Sequence, residues 1–263
     1  MKFLATWYPY DSGMEMQKLF VIIEKAEKDG FAGFELVPPI ELLPEYNKNA
    51  PFFLSKNLLF TVHFDYLGTN LCSKNKGIRE ESIRQLKETI VFAGRIKAKN
   101  VVFHPGNYYV EEDPAFAVKR LKESLPALLK LAKENNIVLA IENMENKKQQ
   151  LCISCEQVME FLEEFPDLMM CFDIAHALYT NQEKRFVEEF WTACEERVIE
   201  VHMSGIKEGI PHYKVNLVKN SIDITSFIQK LKYFSGFVKL ENLDYEDIVL
   251  SKKYVEDKIG EVS

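Results

Sequence analysis

The strongest constraint on the fold is a repeat of short apolar runs that each stop at a histidine or a carboxylate. The run from Leu168 to Phe172 ends on Asp173, and His176 follows three residues later. The residues that end the other runs in the same way are His63, His104, Glu142, His202 and Glu241. Ionisable groups destabilise a core unless they are paired or bind a cation. The repeat therefore predicts buried strands whose ends carry metal ligands.

Helix-period segments alternate with these runs along the chain. The predicted strands are Lys2–Thr6, Phe34–Val37, Leu58–His63, Val101–His104, Ile137–Glu142, Leu168–Asp173, Val198–His202 and Phe237–Glu241. The predicted helices are Met14–Lys28, Ile78–Lys97, Pro114–Asn135, Cys155–Phe165, Glu183–Glu196, Thr225–Tyr233 and Tyr245–Lys258. The connection from Pro38 to Asn57 is expected to be longer and less regular.

Near-continuous apolar strands covered by amphipathic helices are typical of a parallel sheet that is buried on both faces. Eight strand–helix units in 263 residues predict an α/β protein, a single-domain (β/α)8 TIM barrel over residues 1–263. An open doubly wound sheet is the alternative. It is less favoured, because no Gly-rich phosphate loop follows any strand.

Charge and composition limit the partners. A formal net charge of −7 provides no global basic field, which disfavours nucleic acid as a partner without excluding it. The amino-terminal segment lacks a signal-peptide pattern, and no uncharged apolar run approaches membrane-spanning length. Five scattered cysteines suit a reducing compartment, and we interpret the CxxC pair Cys152 and Cys155 as structural. We expect a cytoplasmic protein with no membrane partner; its oligomeric state, a homo-oligomer included, stays open.

In a (β/α)8 barrel, the carboxyl ends of all the strands open onto one face. The six strand-end residues would therefore meet around one mouth, and imidazole and carboxylate donors suit zinc, manganese, iron or cobalt. The chain has only five histidines; His176 lies just past a predicted strand, and His212 lies in the loop after strand seven. A single histidine of this kind is often a structural residue, but the convergence of six donors predicts a metal site. A metal-free barrel that uses a carboxylate pair for acid–base chemistry is the alternative.

As a set, the motifs TVHFDYLGTNL, VVFHPG, AIEN, FDIAHA, VHMSGIK and LEN resemble the xylose isomerase-like TIM-barrel superfamily. This superfamily contains the sugar phosphate isomerases/epimerases and endonuclease IV (AP endonuclease family 2). In the isomerase branch, the resemblance implies one divalent metal ion held by Glu142, Asp173, His202 and Glu241. It also implies that the two glutamates exchange protons with the bound sugar and that His176 contacts substrate oxygens.

In the nuclease branch, the resemblance implies a second metal held by His63 and His104, with Glu142 bridging. Positions similar to His176 and His212, with an aspartate two residues before the latter, would hold a third. This chain departs from that pattern, because Ile210 stands where the aspartate is expected. The acidic, Pro-rich loop PPIELLPEYNKN also lacks the Arg and Gln expected of a DNA-wedging loop, whereas Tyr66, Leu67 and Lys207 resemble nuclease residues.

Three hypotheses follow. The first is a divalent-metal-dependent isomerase or epimerase of a small sugar, sugar phosphate or related polyhydroxy compound, with one ion (Zn, Mn or Co) favoured over two or three. The second is an endonuclease IV-like zinc phosphodiesterase acting on abasic DNA, and the third is a metal-binding barrel without catalysis.

Several aromatic and basic residues have two interpretations. Trp7, Tyr8 and Tyr10 follow strand one and are candidates for the pocket wall or for the core. We predict that Trp7, Tyr66 and Lys207 contact substrate. Lys207 and Lys214 could hold a phosphate group or face solvent.

Overall fold

The computed structural model describes residues 1–8, 16–147 and 149–260, except for the side chain of residue 184. Its strands form one closed parallel barrel in which each strand pairs with the next and β8 pairs with β1. The strands are β1 (Lys2–Trp7), β2 (Gly33–Leu36), β3 (Leu59–His63), β4 (Asn100–Phe103), β5 (Val138–Glu142), β6 (Met169–Asp173), β7 (Val198–Met203) and β8 (Phe237–Leu240). The predicted (β/α)8 barrel is confirmed, and the open-sheet alternative is excluded.

Helices follow the strands around the outside of the barrel. They are α1 (Met16–Lys28), α2 (Leu43–Lys48), α3 (Ala50–Leu54), α4 (Lys76–Arg95), α5 (Pro114–Glu134), α6 (Cys155–Glu164), α7 (Ile174–Thr180), α8 (Lys184–Cys194), α9 (Thr225–Lys230) and α10 (Tyr245–Gly260). In the part of the chain that the structure describes, no helix is both long and apolar enough to cross a membrane.

The structure differs from the prediction mainly in the connections. The segment predicted to be less regular contains α2 and α3, each with a proline in its first turn and with Tyr46 or Phe53 buried against the core. Helix α7 was not predicted; the Asp173 side chain caps it by accepting a hydrogen bond from the His176 backbone amide at 2.7 Å. Strands β4 and β8 end one residue before His104 and Glu241. Met14, the predicted start of the first helix, lies outside the described residues.

The packing leaves the polar strand ends on one face. A large apolar cluster fills the space between the barrel and its helices. The described residues also include a small, separate apolar cluster of the strand residues Val102, Ala140 and Cys171. Narrow side chains there leave room for the charged groups of the neighbouring strands, so the polar residues reach into the barrel instead of pointing to solvent.

Asn70 connects the two loops that follow β3 and β4. Its side-chain nitrogen donates to the Asn107 carbonyl at 2.8 Å, and its oxygen accepts from the backbone amides of Cys72 and Asn107, each at 3.2 Å. Gly106 lies so close that a Cβ atom there would be 2.4 Å from the Asn70 oxygen. Asn70 therefore fixes the wall of the barrel mouth at this side.

We predict that Asn70→Ala lowers the free energy of unfolding by about 1–3 kcal/mol, because it removes the partners of partly buried backbone groups. Urea unfolding followed by circular dichroism measures the loss. Asn57→Ala, at an exposed position, is the control and should change the free energy of unfolding little. Equal effects of the two substitutions would contradict the role of Asn70.

Candidate metal centre

The Glu142 carboxylate, at the end of β5, lies at the centre of the polar face. Its Oε2 atom is 3.0 Å from His63 Nε2 and 3.1 Å from His104 Nε2. Its Oε1 atom is 3.2 Å from His202 Nδ1 and 3.5 Å from His176 Nδ1. Four imidazoles from four different segments thus surround one buried carboxylate, so strand ends that are far apart in sequence are brought together here.

Three overlapping sets of donors among the described residues have the geometry of a metal site. The first is Glu142, Asp173, His202 and Glu241, the ligands implied for a single metal; the others are His63, Glu142 and His202, and the deeper set of Glu35, Glu200 and His202. Within each set, the ligand atoms lie within 4.8 Å of one another. Nitrogen and carboxylate oxygen donors of this kind suit zinc and the neighbouring divalent transition metals.

Two carboxylates of the four-donor set each keep one oxygen without a partner. Asp173 Oδ1 accepts from the His176 amide, whereas its Oδ2 is buried with no hydrogen bond. Glu241 Oε1 accepts from the Tyr8 hydroxyl and from Lys239 Nζ, whereas its Oε2 is also buried with no hydrogen bond. A buried carboxylate oxygen without a donor is unfavourable. A bound cation would satisfy both atoms, so these residues fit a divalent metal.

His63 provides a second sign of a cation. Its Nδ1 atom is 2.8 Å from the Phe64 carbonyl oxygen, and a carbonyl can only accept, so Nδ1 carries the proton. In a neutral ring, the Nε2 lone pair then faces Glu142 Oε2 at 3.0 Å. Two acceptors at this distance require a proton or a cation near them. His104 Nε2 reaches the same oxygen, so His63 and His104 converge on Glu142 Oε2.

Electrostatics at the centre follow from burial opposed by neighbouring charges. Burial alone would raise the pKa of Glu142, but His202 and His104 outweigh it and hold that pKa well below its usual range. At Asp173, burial is the largest effect, and together with repulsion from Glu241 and Glu142 it raises the pKa of the carboxyl group to about 8. His176 opposes this shift. The ionised form of Asp173 is therefore disfavoured unless a cation lies beside it.

His176 and His212 form a corner of the centre, and their ring centroids are 5.0 Å apart. His176 Nδ1 contacts the Asn143 carbonyl at 2.9 Å, and His212 Nδ1 contacts Ser204 Oγ at 2.9 Å. Burial lowers the pKa of His212 to about 4, so its ring is neutral near pH 7. The side chain two residues before His212 is Ile210. The partner of His212 is thus a hydroxyl group rather than the aspartate of the three-metal pattern.

A cavity of about 400 Å³ adjoins the centre. The polar side chains that line it, among the described residues, include His104, His176, His212, Tyr8, Tyr66, Tyr213, Glu145, Glu241, Asn70, Asn107 and Gln150. Tyr66 stacks on His104 with ring centroids 5.0 Å apart. The cavity thus combines metal-facing groups with neutral hydrogen-bonding groups.

Two residues predicted to contact substrate, Lys207 and Trp7, lie outside the described lining of this cavity. Lys207 is exposed in a turn that pairs with Ile210, and it does not line the cavity. Trp7 ends β1, half-buried and packed against the core, and it does not line the cavity either. Tyr8 does line it, whereas Tyr10 lies outside the described residues. Lys207 and Trp7 both lie outside the described cavity lining, and their contact with substrate stays a prediction.

Buried charges below the ligands were missed by the sequence analysis. Glu35 on β2, Glu200 on β7 and Lys239 on β8 are completely buried. Lys239 Nζ lies 2.5 Å from Glu35 and 3.3 Å from Glu241 Oε1. The signal that could have found them is a charged residue inside an otherwise apolar strand, as in the sequences FELV and FVKL.

The fold and the centre define a TIM barrel with a candidate metal site at the carboxyl ends of its strands. A family profile described as "Xylose isomerase-like TIM barrel" matches residues 23–256. The chain belongs to this family, as its motifs predicted.

The relatives fall into two kinds. The chain is 27% identical to an uncharacterized protein of Methanocaldococcus jannaschii over 205 residues, which are 76% of this chain and 73% of that protein. It is 28% identical to the "Probable endonuclease 4" of Petrotoga mobilis over 60% of this chain and 56% of that protein. These relatives support membership of the family, and one of them carries a nuclease name.

Solved structures also divide between the two branches. A D-tagatose 3-epimerase-like protein has a TM-score of 0.82 at 21% identity, covering 100% of this chain and 98% of that one. Endonuclease IV from Thermus thermophilus has a TM-score of 0.74 at 17% identity, covering 99% of this chain and 100% of that one. At these identities, the likeness shows the fold alone.

We predict that Asp173→Asn weakens metal binding by at least roughly 10–100-fold. This is the loss typical when a residue that only hydrogen-bonds to a metal ligand is removed. The asparagine oxygen can still cap α7, so the fold should be retained. The measurement is competition for Zn²⁺ between the metal-free protein and a chromophoric chelator. Asp257→Asn, on the exposed side of α10, makes the same change of charge and should bind like the wild type. An unchanged affinity of Asp173→Asn would rule out Asp173 as a ligand.

Proposed function

We propose that the protein is a divalent-metal-dependent isomerase or epimerase of a small polyhydroxy compound, a sugar or sugar phosphate, with proton transfer by Glu142 and Glu241. The observation that carries this proposal is that the set of Glu142, Asp173, His202 and Glu241 adjoins a cavity of about 400 Å³. This volume is in the range of small-molecule sites.

The two glutamates approach the centre from different sides of the barrel. Glu142 ends β5 and Glu241 follows β8, with β6 and β7 between them. Tyr8 and Lys239 hold Oε1 of Glu241 and leave Oε2 facing the centre. A bound divalent ion would polarise a substrate carbonyl or enediolate oxygen. The glutamates can then remove a proton from the adjacent carbon and return one to it.

The other cavity groups suit hydroxyl groups. Because the Nδ1 atoms of His176 and His212 are already paired, each ring keeps Nε2 for a ligand. The amides of Asn107 and Gln150 and the Tyr213 phenol also line the cavity and can donate or accept hydrogen bonds. Such a lining supports a polyhydroxy substrate. Structural neighbours include a D-psicose 3-epimerase with D-tagatose and an L-ribulose 3-epimerase.

An endonuclease IV-like zinc phosphodiesterase is the second candidate. The observation that favours it is the convergence of His63 and His104 on Glu142 Oε2, because a second metal there would create a two-metal site for phosphodiester cleavage. We rank it second for two reasons. Ile210 replaces the aspartate of the third metal position, and the described cavity lining contains no Lys or Arg for a phosphate backbone.

We predict that Glu241→Gln lowers turnover of the responsive sugar by roughly 10²–10⁴-fold, since it removes a group that transfers a proton. His63→Ala should retain much of the activity. The measurement is incorporation of deuterium from D₂O into each sugar of a panel, followed by NMR and mass spectrometry. Glu208→Gln, at an exposed position, is the matched control for the loss of a carboxylate.

The metal content of protein purified without added metal decides between the candidates. About one equivalent of manganese, cobalt or zinc per chain, measured by elemental mass spectrometry, supports the isomerase or epimerase. Two or three equivalents of zinc, with cleavage of an abasic-site oligonucleotide that His63→Ala or His104→Ala abolishes, would establish the phosphodiesterase instead. A metal-loaded protein that exchanges no proton on any sugar and cleaves no oligonucleotide would point to the third hypothesis, a barrel without catalysis.

A further inference from the structure

A second layer of charged residues lies inside the barrel, directly below the metal ligands. It contains Glu35 from β2, Glu200 from β7 and Lys239 from β8, and all three are completely buried. His202 connects the two layers, since its ring faces Glu142 on one side and Glu35 and Glu200 on the other. The lower layer is therefore placed to determine which ring nitrogen of His202 carries the proton and which one faces a metal.

The two ring nitrogens of His202 have different surroundings. Nδ1 lies 3.2 Å from Glu142 Oε1, inside the candidate metal site. Nε2 lies 3.3 Å from Glu35 Oε2 and 3.6 Å from Glu200 Oε1. A neutral imidazole that binds a metal through Nδ1 carries its proton on Nε2, and that proton needs an acceptor.

Glu35 is the acceptor with free capacity. Glu200 already accepts from Asn100 Nδ2 at 2.6 Å and from Thr61 Oγ1 at 3.3 Å. By contrast, His202 Nε2 and both oxygens of Glu35 are buried without a well-aligned hydrogen bond. Buried polar atoms without partners are costly, so a small rotation that pairs His202 with Glu35 satisfies both groups.

Lys239 determines which way the Glu35 carboxylate points. Its Nζ atom lies 2.5 Å from Glu35 Oε1, whereas the other carboxylate oxygen, Oε2, makes the 3.3 Å contact with His202. The lysine is itself completely buried, and its other contacts include Glu241 and the Tyr8 ring. One oxygen of Glu35 thus faces a cation and the other faces the imidazole.

We propose that Glu35 is a positioning residue that accepts the Nε2 proton of His202 and so presents Nδ1 to the metal, while Lys239 fixes the orientation of the Glu35 carboxylate. This inference rests on the metal binding in the proposed function, and it does not depend on which reaction the centre performs.

The substitution Glu35→Gln tests the proposal sharply, because an amide has one acceptor and one donor end. Lys239 can only donate, so it would hold the Gln oxygen at the Oε1 position. The amide nitrogen would then face His202 Nε2 and favour the opposite tautomer, with the proton on Nδ1. Removal of the lysine in Glu35→Gln/Lys239→Met frees the amide to turn its oxygen toward His202.

The experiment uses the full chain labelled with ¹⁵N-histidine and loaded with Zn²⁺ alone. We expect the ¹⁵N shifts of His202 in the wild type to show a metal-bound Nδ1 and a protonated Nε2. We also expect Glu35→Gln to lower the Zn²⁺ affinity about 10–100-fold, measured by chelator competition. This loss should be smaller when the same substitution is made in the Lys239→Met background. Glu208→Gln, at an exposed position, makes the same change of group and is the matched control that should change affinity little.

Each other result contradicts the proposal in a distinguishable way. Wild-type affinity and an unchanged His202 tautomer in Glu35→Gln would overturn the role of Glu35 alone. An equal loss with and without Lys239 would overturn the orienting role of the lysine. A wild-type protein that binds no Zn²⁺ would defeat the metal centre as well as this inference. If Glu35→Gln fails to fold, the double variant Glu35→Gln/Lys239→Met is used, because it removes both buried charges together. Its Zn²⁺ affinity is then compared with that of Lys239→Met, and this comparison provides the test.

Discussion

The burial of the Glu142 carboxylate is the constraint on which the rest of the centre depends. An ionised carboxylate inside a protein is unfavourable unless paired charges or hydrogen bonds offset its desolvation. Here, the imidazoles of His202 and His104 provide the offset, and those of His63 and His176 also approach the two oxygens. These histidines belong to β3, the residue after β4, α7 and β7, so only a closed barrel brings them together. The closed barrel is therefore what allows the charged Glu142 carboxylate to be buried.

The charged residues below Glu142 are likewise buried inside the barrel next to groups of opposite charge. An interior filled only with apolar side chains would leave His202 free to adopt either tautomer, whereas Glu35 and Lys239 give its two nitrogens unequal surroundings. Buried ion pairs seldom add much stability compared with apolar packing. Their benefit here is orientation, since a rigid ligand set binds a metal without first reorganising.

Sequence patterns predicted the strand ends better than the layer beneath them. Apolar runs that stop at a charged residue mark where strands end, and the symmetry of a barrel then collects those ends on one face. A charged residue inside an apolar strand marks Glu35 and Lys239, but a strand buried on both faces gives no alternation to show that these residues point inward. Helix α7 was missed because a short helix capped by Asp173 depends on one side-chain hydrogen bond. Lys207 was selected by resemblance, and its turn directs it to the surface.

The corner formed by His176 and His212 is where the isomerase and nuclease chemistries diverge. Both need the set around Glu142, but the three-metal pattern implied by the resemblance adds an aspartate two residues before His212. This chain supplies the Ser204 hydroxyl at 2.9 Å and the apolar Ile210 instead. A neutral imidazole held by a hydroxyl group is a better hydrogen-bond partner for a substrate oxygen than a ligand for an additional dication. The corner therefore favours a small hydroxylated molecule over a phosphodiester that needs three metals.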